Sequence, residues 1–383
     1  MNLLTLGNVQ VNLTLLSLTR RFLISPFSFP PMLTPTLSQK ELFSLLQIIK
    51  DCRNVVVCSH RGPDGDAMGS SLGWAEYLRH LGKQVTVVMP NPCPDFLRWM
   101  PGSQAVKFYS EAAEEVERAM KQADLIFLMD MNSVGRLQDM SVLVEKSKAK
   151  RVIIDHHLDP QTNVDLVISR PKMSSTSELV LRMLYQMGGY DQMTRSGAAC
   201  IYTGMMTDTG AFTYNSNDPE IYVCISLLLK KRIDKDRIYR NVHNNYSEHR
   251  LRLQGYILHK KTEFFEGRRA AIFALTREEM KEFKFIRGDM EGVVNMPLQV
   301  RGMRLSISLR EDTEKDVIRV SLRSVDDFPC NKMAEQFFNG GGHLNASGGE
   351  LPFPMEAAIE TAKRAIEAFK NQLYGIKPEE KQA

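Results

Sequence analysis

The sequence predicts an α/β protein, with a large parallel-sheet N-terminal domain and a smaller α/β C-terminal domain. Three observations carry this. Wholly apolar runs at 55–57, 125–129 and 152–154 alternate with segments of helical spacing, and a strand apolar on every residue belongs in a parallel sheet covered on both faces. The alternation returns after about residue 266 on a smaller scale. The length, 383 residues with 43% hydrophobic and 25% charged, suits about two globular domains at roughly 100–200 residues each.

The elements follow in order. Residues 1–37 hold an apolar-rich stretch broken by Asn8, Gln10 and Asn12, then Arg20, Arg21 and a run of prolines. A spanning helix needs about 20 mainly apolar residues, and a signal peptide puts its basic residues first. The stretch fits neither and reads as a disordered or artefactual extension, with Met32 as the expected native start. Ser38 and Glu41 form a capping box that opens a helix through Leu42, Leu45, Leu46 and Ile49. Strands are expected at 55–57, 84–89, 125–129 and 151–154, with helices at 68–81 and 111–122 between them. The first domain is expected over 38–217. Residues 218–265, mainly helical and rich in Lys and Arg, read as a connector, with 246–258 its clearest stretch. Strands at 270–275, 303–309 and 317–322 then place a second domain at 266–375, followed by a tail at 376–383.

Charge and cysteines narrow the class. A surplus of 49 − 45 = +4 is too small for a polycationic coat that grips long nucleic acid. Any anionic ligand must be held locally. Cys52, Cys58, Cys93, Cys200, Cys224 and Cys330 are scattered without a C-x-x-C pair, which argues against a zinc ribbon and a disulfide framework and for a cytoplasmic setting. No other segment has the length and hydropathy of a membrane span.

Chemistry-bearing residues gather where strands end. Ser59-His60-Arg61-Gly62-Pro63-Asp64-Gly65-Asp66 follows the first run. Pro-Asp-Gly-Asp alone is ordinary turn composition, but His60, Asp64 and Asp66 together can face one divalent ion. Asp130 follows the third strand, where alone it would be read as a helix N-cap. Asp155-His156-His157 follows the fourth, and adjacent residues of an extended chain point to opposite sides, so one imidazole can bind metal while the other meets substrate. Asp208, in Thr207-Asp208-Thr209-Gly210, adds another carboxylate. Oxygen and imidazole donors without thiolate favour manganese or magnesium. Six such ligands suit two ions sharing a carboxylate, about 3.5–4 Å apart, and hydrolysis of a phosphate ester. Far along the chain, Asn339-Gly340-Gly341-Gly342-His343 offers backbone amides and a donor for an anion, and Arg323 offers a guanidinium fork; alone, each is ordinary loop or surface composition.

In order and spacing, His60-x-x-x-Asp64-x-Asp66, Asp130, Asp155-His156-His157, Asp208 and Gly340-Gly341-Gly342-His343 resemble the DHH phosphoesterases that carry a DHH-associated C-terminal domain, over roughly 38–375. The resemblance implies two Mn²⁺ ions, with Mg²⁺ as the substitute. His60 and Asp64 would hold one, Asp66, His156 and Asp208 the other, and Asp130 would bridge them. His157 and Asp155 would be the catalytic pair, with His157 facing the scissile phosphate. Arg323, His343 and the amides of Gly341 and Gly342 would hold the terminal phosphate across a cleft, and Arg136 would touch substrate. After the glycine–histidine element, Ala346-Ser347-Gly348 stands where the family usually has Ala-Ala-Gly.

The compact two-domain layout resembles the members of that family that act on short oligoribonucleotides and on 3′-phosphoadenosine 5′-phosphate. Those are the expected substrates and partners, with no membrane, and a homodimer is left open. A phosphodiesterase of cyclic or linear dinucleotides is the alternative within the class. A non-catalytic nucleotide- or RNA-binding protein is the alternative outside it, and loss of a metal ligand would mark it. None of the six is missing.

Overall fold

The computed structural model describes residues 33–161, 163–286 and 288–375. Most of the expected N-terminal extension, and the tail, lie outside the described residues. The extension ends before residue 37, however. Leu33 and Leu37 are buried, the Thr34 amide donates to Glu220 and the Thr36 amide to Gln186, so 33–37 is docked chain. The described chain forms two compact units that divide between Tyr239 and Arg240, with Pro94–Phe96 belonging to the second.

In the first unit the order is α1 (Gln39–Asp51), β1 (Asn54–Ser59), α2 (Gly65–His80), β2 (Gln84–Met89), β3 (Lys107–Phe108), α3 (Ala113–Gln122), β4 (Leu125–Met129), α4 (Ser141–Lys146), β5 (Lys150–Asp155), β6 (Leu166–Ser169), α5 (Thr176–Gln186), α6 (Arg195–Asp208), α7 (Pro219–Lys230) and most of α8 (Lys235–His243). Ser38 caps α1 through the expected reciprocal pair with Glu41. The six strands lie in the order β3-β2-β1-β4-β5-β6 and all pair in parallel. Both faces are covered, as the apolar runs require. Val56, Cys58, Ile126, Leu128 and Ile153 pack against Val116, Met120 and Val144 on one side, and Phe127 meets Trp74 of α2 edge-on at 5.3 Å on the other. β1 has β2 on one side and β4 on the other, so the winding reverses between β1 and β4. In an open α/β sheet that point, at the C-terminal strand ends, is where ligands bind.

The second unit takes α9 (Glu248–Tyr256), β7 (Thr262–Phe265), β8 (Ala270–Leu275), α10 (Arg277–Glu282), β9 (Leu305–Glu311), β10 (Ile318–Ser324), α11 (Cys330–Phe337), β11 (Gly341–His343), β12 (Ala346–Leu351), α12 (Met355–Ala368) and α13 (Lys370–Leu373). Its sheet runs β11-β12-β10-β9-β8-β7, mixed because only β8 and β9 pair in parallel. Leu305, Ile307, Leu309, Ile318, Val320 and Leu322 bury one face with Ala358, Ala362 and Ile366 of α12. The mainly helical reading of 218–265 stops short: after α9 and a π-turn at Ile257–Lys261 the chain becomes β7, an edge strand on β8. Among the described residues no helix is long and apolar enough to cross a membrane.

Candidate active site

The ends of five elements bring carboxylates and imidazoles to the β1/β4 reversal. His60 follows β1, Asp64 caps α2 and Asp66 sits in its first turn, Asp130 follows β4, Asp155 ends β5 with His156 and His157 after it, and Asp208 ends α6. Their donor atoms gather in groups, each within 4.8 Å: His60, Asp64 and Asp130; Asp66, His156 and Asp208; Asp130, Asp155 and His157. Asp130 joins them. Its Oδ2 lies 3.5 Å from His60 Nε2, and its Oδ1 lies 3.7 Å from His156 Nε2 and 3.8 Å from His157 Nδ1. It adopts φ 55°, a left-handed conformation uncommon outside glycine and costing about 1–3 kcal/mol, of the kind that clusters at functional sites.

Local hydrogen bonds aim the donors. His60 Nδ1 lies 3.1 Å from the Arg61 carbonyl, and His156 Nδ1 lies 3.2 Å from that of Met173. A carbonyl oxygen only accepts, so Nδ1 carries the proton on both rings and each Nε2 points at carboxylates, the tautomer of a metal ligand. Asp64 Oδ1 accepts from the amides of Asp66 and Ala67 as the α2 cap, while Oδ2 faces His60 at 4.0 Å. Both oxygens of Asp66 accept from the first amides of α5, Oδ2 from Thr176 and Oδ1 from Ser177, and the Thr176 hydroxyl donates to Asp130 Oδ1 at 2.9 Å. His157 Nδ1 is 2.7 Å from Asp155 Oδ1; Asp155 Oδ2 is buried and has no hydrogen-bond partner among the described residues.

Electrostatically the cluster is unbalanced without cations. Burial pushes Asp66 well above the usual carboxylate range, and the charges of Asp130 and Asp208 add to it. Burial also raises Asp208, to about 7, with His156 pulling against the charges of Asp130 and Asp64. Asp130 goes the other way: burial opposes its charge, but His60, His157 and His156 hold it low. His157 is raised to about 9 against its burial by the hydrogen bond to Asp155 and the charges of Asp130 and Asp155. Five carboxylates, two imidazoles whose Nε2 lone pairs face them, one carboxylate oxygen buried without a partner among the described residues, and no thiolate: this donor set fits hard or borderline divalent cations.

Arg136 is exposed on a 3₁₀ segment, Val134–Met140, where its carbonyl accepts from the Arg61 amide and its charge bears on His60 and His157. In the second unit, the glycine run is β-hairpin, with Gly341 opposite Gly348, Gly342 opposite Ser347 and His343 opposite Ala346. Gly342 has φ 143°, and a Cβ there would stand 2.6 Å from the Ala346 carbonyl oxygen, so the hairpin itself requires glycine. Arg323 is also opposite Ala346. His343, Ala346 and Arg323 therefore form one cross-strand row, which puts the imidazole and the guanidinium on the same sheet face.

Two supports were not read from the sequence. Thr176 and Ser177 fix Asp66 and Asp130, and the signal was the Ser174-Ser175-Thr176-Ser177 run before an apolar helix. Gly65, Gly69 and Gly73, four apart, let α2 lie against α6. A Cβ on Gly69 would meet the Cys200 carbonyl oxygen at 2.5 Å, and one on Gly204 would stand 2.9 Å from Asp66 Oδ1. This close approach brings Asp208 to Asp66.

Residues 54–205 match the DHH family, N-terminal domain, and residues 271–372 match the DHHA1 domain. The chain is 27% identical over 320 residues, 83% of its length and 90% of the relative's, to the bifunctional oligoribonuclease and PAP phosphatase NrnA of Thermus thermophilus. A crystal structure of an exopolyphosphatase-related protein from Bacteroides fragilis is 47% identical, with a TM-score of 0.85, covering 89% of this chain and all of that one. RecJ of Thermus thermophilus in complex with Mn²⁺ shares the fold at a TM-score of 0.53 and 13% identity, over 90% of this chain and 56% of that one.

Proposed function

We propose, from the premise that this chain belongs to the DHH family of phosphoesterases and is a metal-dependent hydrolase, that it is a two-metal enzyme that cleaves short oligoribonucleotides to mononucleotides and converts 3′-phosphoadenosine 5′-phosphate to AMP. The observation that carries the two-metal part is Asp130, with Oδ2 toward His60 and Oδ1 toward His156. In this reading His60 and Asp64 would hold one ion, Asp66, His156 and Asp208 the other, and Asp130 would serve both. The mixed oxygen and imidazole set favours Mn²⁺, with Mg²⁺ as substitute. When bound, such a pair lowers the pKa of water and neutralises charge on attacking and leaving oxygens of an in-line displacement.

The chain's own groups do the rest. Asp155 takes the Nδ1 proton of His157 in a hydrogen bond and fixes the ring, so Nε2 is the atom for a phosphate oxygen. In its protonated form, His157 donates from Nε2 to that oxygen and offsets charge as it builds. Arg136 contributes a second positive charge beside the imidazoles. In the second unit, the Arg323 and His343 row holds a terminal phosphate, which selects chain ends and small nucleotides. The oligoribonucleotide and PAP substrates are supported by the relative of that name at 27% identity.

The test is the full-length protein with Mn²⁺ against labelled RNAs of about two to ten residues, 3′-phosphoadenosine 5′-phosphate and cyclic dinucleotides. The expected result is Mn²⁺-dependent release of mononucleotides from the shortest RNAs and of AMP from the bisphosphate. Turnover of cyclic dinucleotides alone would overturn the substrate assignment, and no turnover of any would overturn the enzyme reading.

A further inference from the structure

Directly after Asp208 the chain turns on itself over residues 209–215. Gly210, Ala211, Phe212 and Asn215 there have φ of 53°, 57°, 64° and 49°. Left-handed backbone at alanine and phenylalanine is disfavoured and survives only where its surroundings over-determine it. Here they do. The Ala211 amide donates to the Met206 carbonyl at 2.7 Å, the Phe212 amide to Thr209 Oγ1 at 3.0 Å, and the Thr213 and Tyr214 amides to the Thr209 carbonyl at 3.0 and 3.2 Å. Thr209 is itself fully buried and donates to the Met205 carbonyl at 2.6 Å.

The turn carries two aromatic rings, and they are used differently. Phe212 packs on Tyr202 of α6, ring centroids 5.7 Å apart, and so anchors the turn. Tyr214 is 51% exposed. Its ring lies against Gly210, where a Cβ would stand 2.1 Å from Cε1 and 2.9 Å from Oη. Only glycine at position 210 admits the ring, two residues from Asp208. A flat, half-exposed ring on a rigid turn beside the carboxylate cluster suits a planar ligand group, because a nucleobase stacks on an aromatic face with little regard to its sequence identity.

We propose that Tyr214 is the stacking platform for the base of the nucleotide whose phosphate is hydrolysed, and that the 209–215 turn exists to hold it. The inference rests on the nucleotide-phosphoesterase reading above and adds to it a base-recognition element in the first unit. Tyr214 is in this account a positioning residue for the substrate.

The test compares matched RNA dinucleotides carrying a terminal adenosine or a terminal abasic ribose, with wild type, Tyr214→Ala, Tyr214→Leu and Tyr214→Phe. From the usual worth of base–aromatic stacking, the adenosine-to-abasic ratio of kcat/KM is expected to fall about tenfold or more in the Ala and Leu variants. Tyr214→Phe should keep the wild-type ratio, since the ring face remains. A merely structural tyrosine would lower both substrates together and leave the ratio unchanged, and that result overturns the proposal. Wild-type protein inert on both dinucleotides would overturn the nucleotide-phosphoesterase reading itself, and the stacking role with it, so the two failures are told apart.

Discussion

Asp66 and Asp208 in the first unit and Asp312 in the second are all acidic side chains drawn into the protein, yet they are held at opposite ends of the carboxylate range. Burial and the charges of neighbouring carboxylates raise Asp66 and take Asp208 to about 7. Asp312 is held at about 2: burial opposes its charge, but Arg319 and the amides of Glu314 and Lys315 outweigh it. In the second unit the fold supplies the counter-charge from its own residues. In the first it crowds like charges around Asp66 and Asp208, while the imidazoles of His60, His156 and His157 hold Asp130 low. Asp312, held low by an arginine and amides of its own unit, is a finished piece of architecture, whereas Asp66 and Asp208, held high around an Asp130 that three imidazoles hold low, mark a place for a cation.

The sharpest way to break this contrast is to remove the carboxylate that both imidazole groups share. Asp130→Ala is expected to abolish hydrolysis, a larger loss than the about 10–100-fold that follows removal of a group supporting a ligand, and to lower the metal content measured on the purified protein. Wild type should gain thermal stability as Mn²⁺ is added, because ions that bind only the folded state stabilise it, and the variant should gain less. An active, fully metallated Asp130→Ala protein would sink the shared-ligand assignment. Next in size is Thr176→Val, which keeps the shape but removes the 2.9 Å hydrogen bond to Asp130 Oδ1. A loss of about 10–100-fold in metal affinity or activity is expected, measured by titrating Mn²⁺ into metal-free protein. Wild-type affinity would mean that Thr176 does not position Asp130.

The same contrast explains what could be read from the sequence. The wholly apolar runs at β1, β4 and β5 announce strands buried on both faces, and His60, Asp64, Asp66, Asp130, Asp155, His156, His157 and Asp208 stand at element ends because a doubly wound sheet presents its site there. Acidic residues and histidines are rare enough at such places to be noticed one by one. What supports them is written in common residues. Thr176 and Ser177 act partly through backbone amides, and Gly69 and Gly204 act by lacking a side chain, so neither carries a chemical label. In the second unit, β7, β11 and β12 are short or rich in glycine and serine and show no apolar alternation. The glycine run consequently reads as a loop, although β-pairing turns it into a strand and sets His343 in register with Arg323. Register is a property of three strands together and is invisible in any one of them.

That register gives a third prediction, smaller because it concerns binding only. If the His343–Ala346–Arg323 row grips a terminal phosphate, His343→Ala should raise KM for a 5′-phosphorylated dinucleotide by about tenfold, the worth of one charge-assisted hydrogen bond, with kcat nearly kept. Arg323→Ala should do the same. Removing the terminal phosphate from the substrate should erase the difference between wild type and variant. Unchanged kinetics on the phosphorylated dinucleotide would take His343 out of the site.

The smallest effect belongs to the finished side of the comparison. Asp312→Asn keeps an oxygen for the amides of Glu314 and Lys315 but replaces the one that accepts from Arg319 Nε at 2.6 Å. The wild-type carboxyl titrates near 2 when folded, against an ordinary value of 3.8, so it is depressed by folding. Its stabilisation is therefore fully present above about pH 4 and is lost as the pH falls toward 2, and it amounts to something on the order of 2 kcal/mol. Urea unfolding of the second unit, followed for wild type and variant at several pH values, should show that difference at pH 7 and a shrinking one as the pH falls from 4 to 2. Activity near neutral pH should be unaffected. A difference that persists undiminished at pH 2 would mean that the side chain contributes by packing and not by charge, and the contrast with Asp66 and Asp208 would lose its second member.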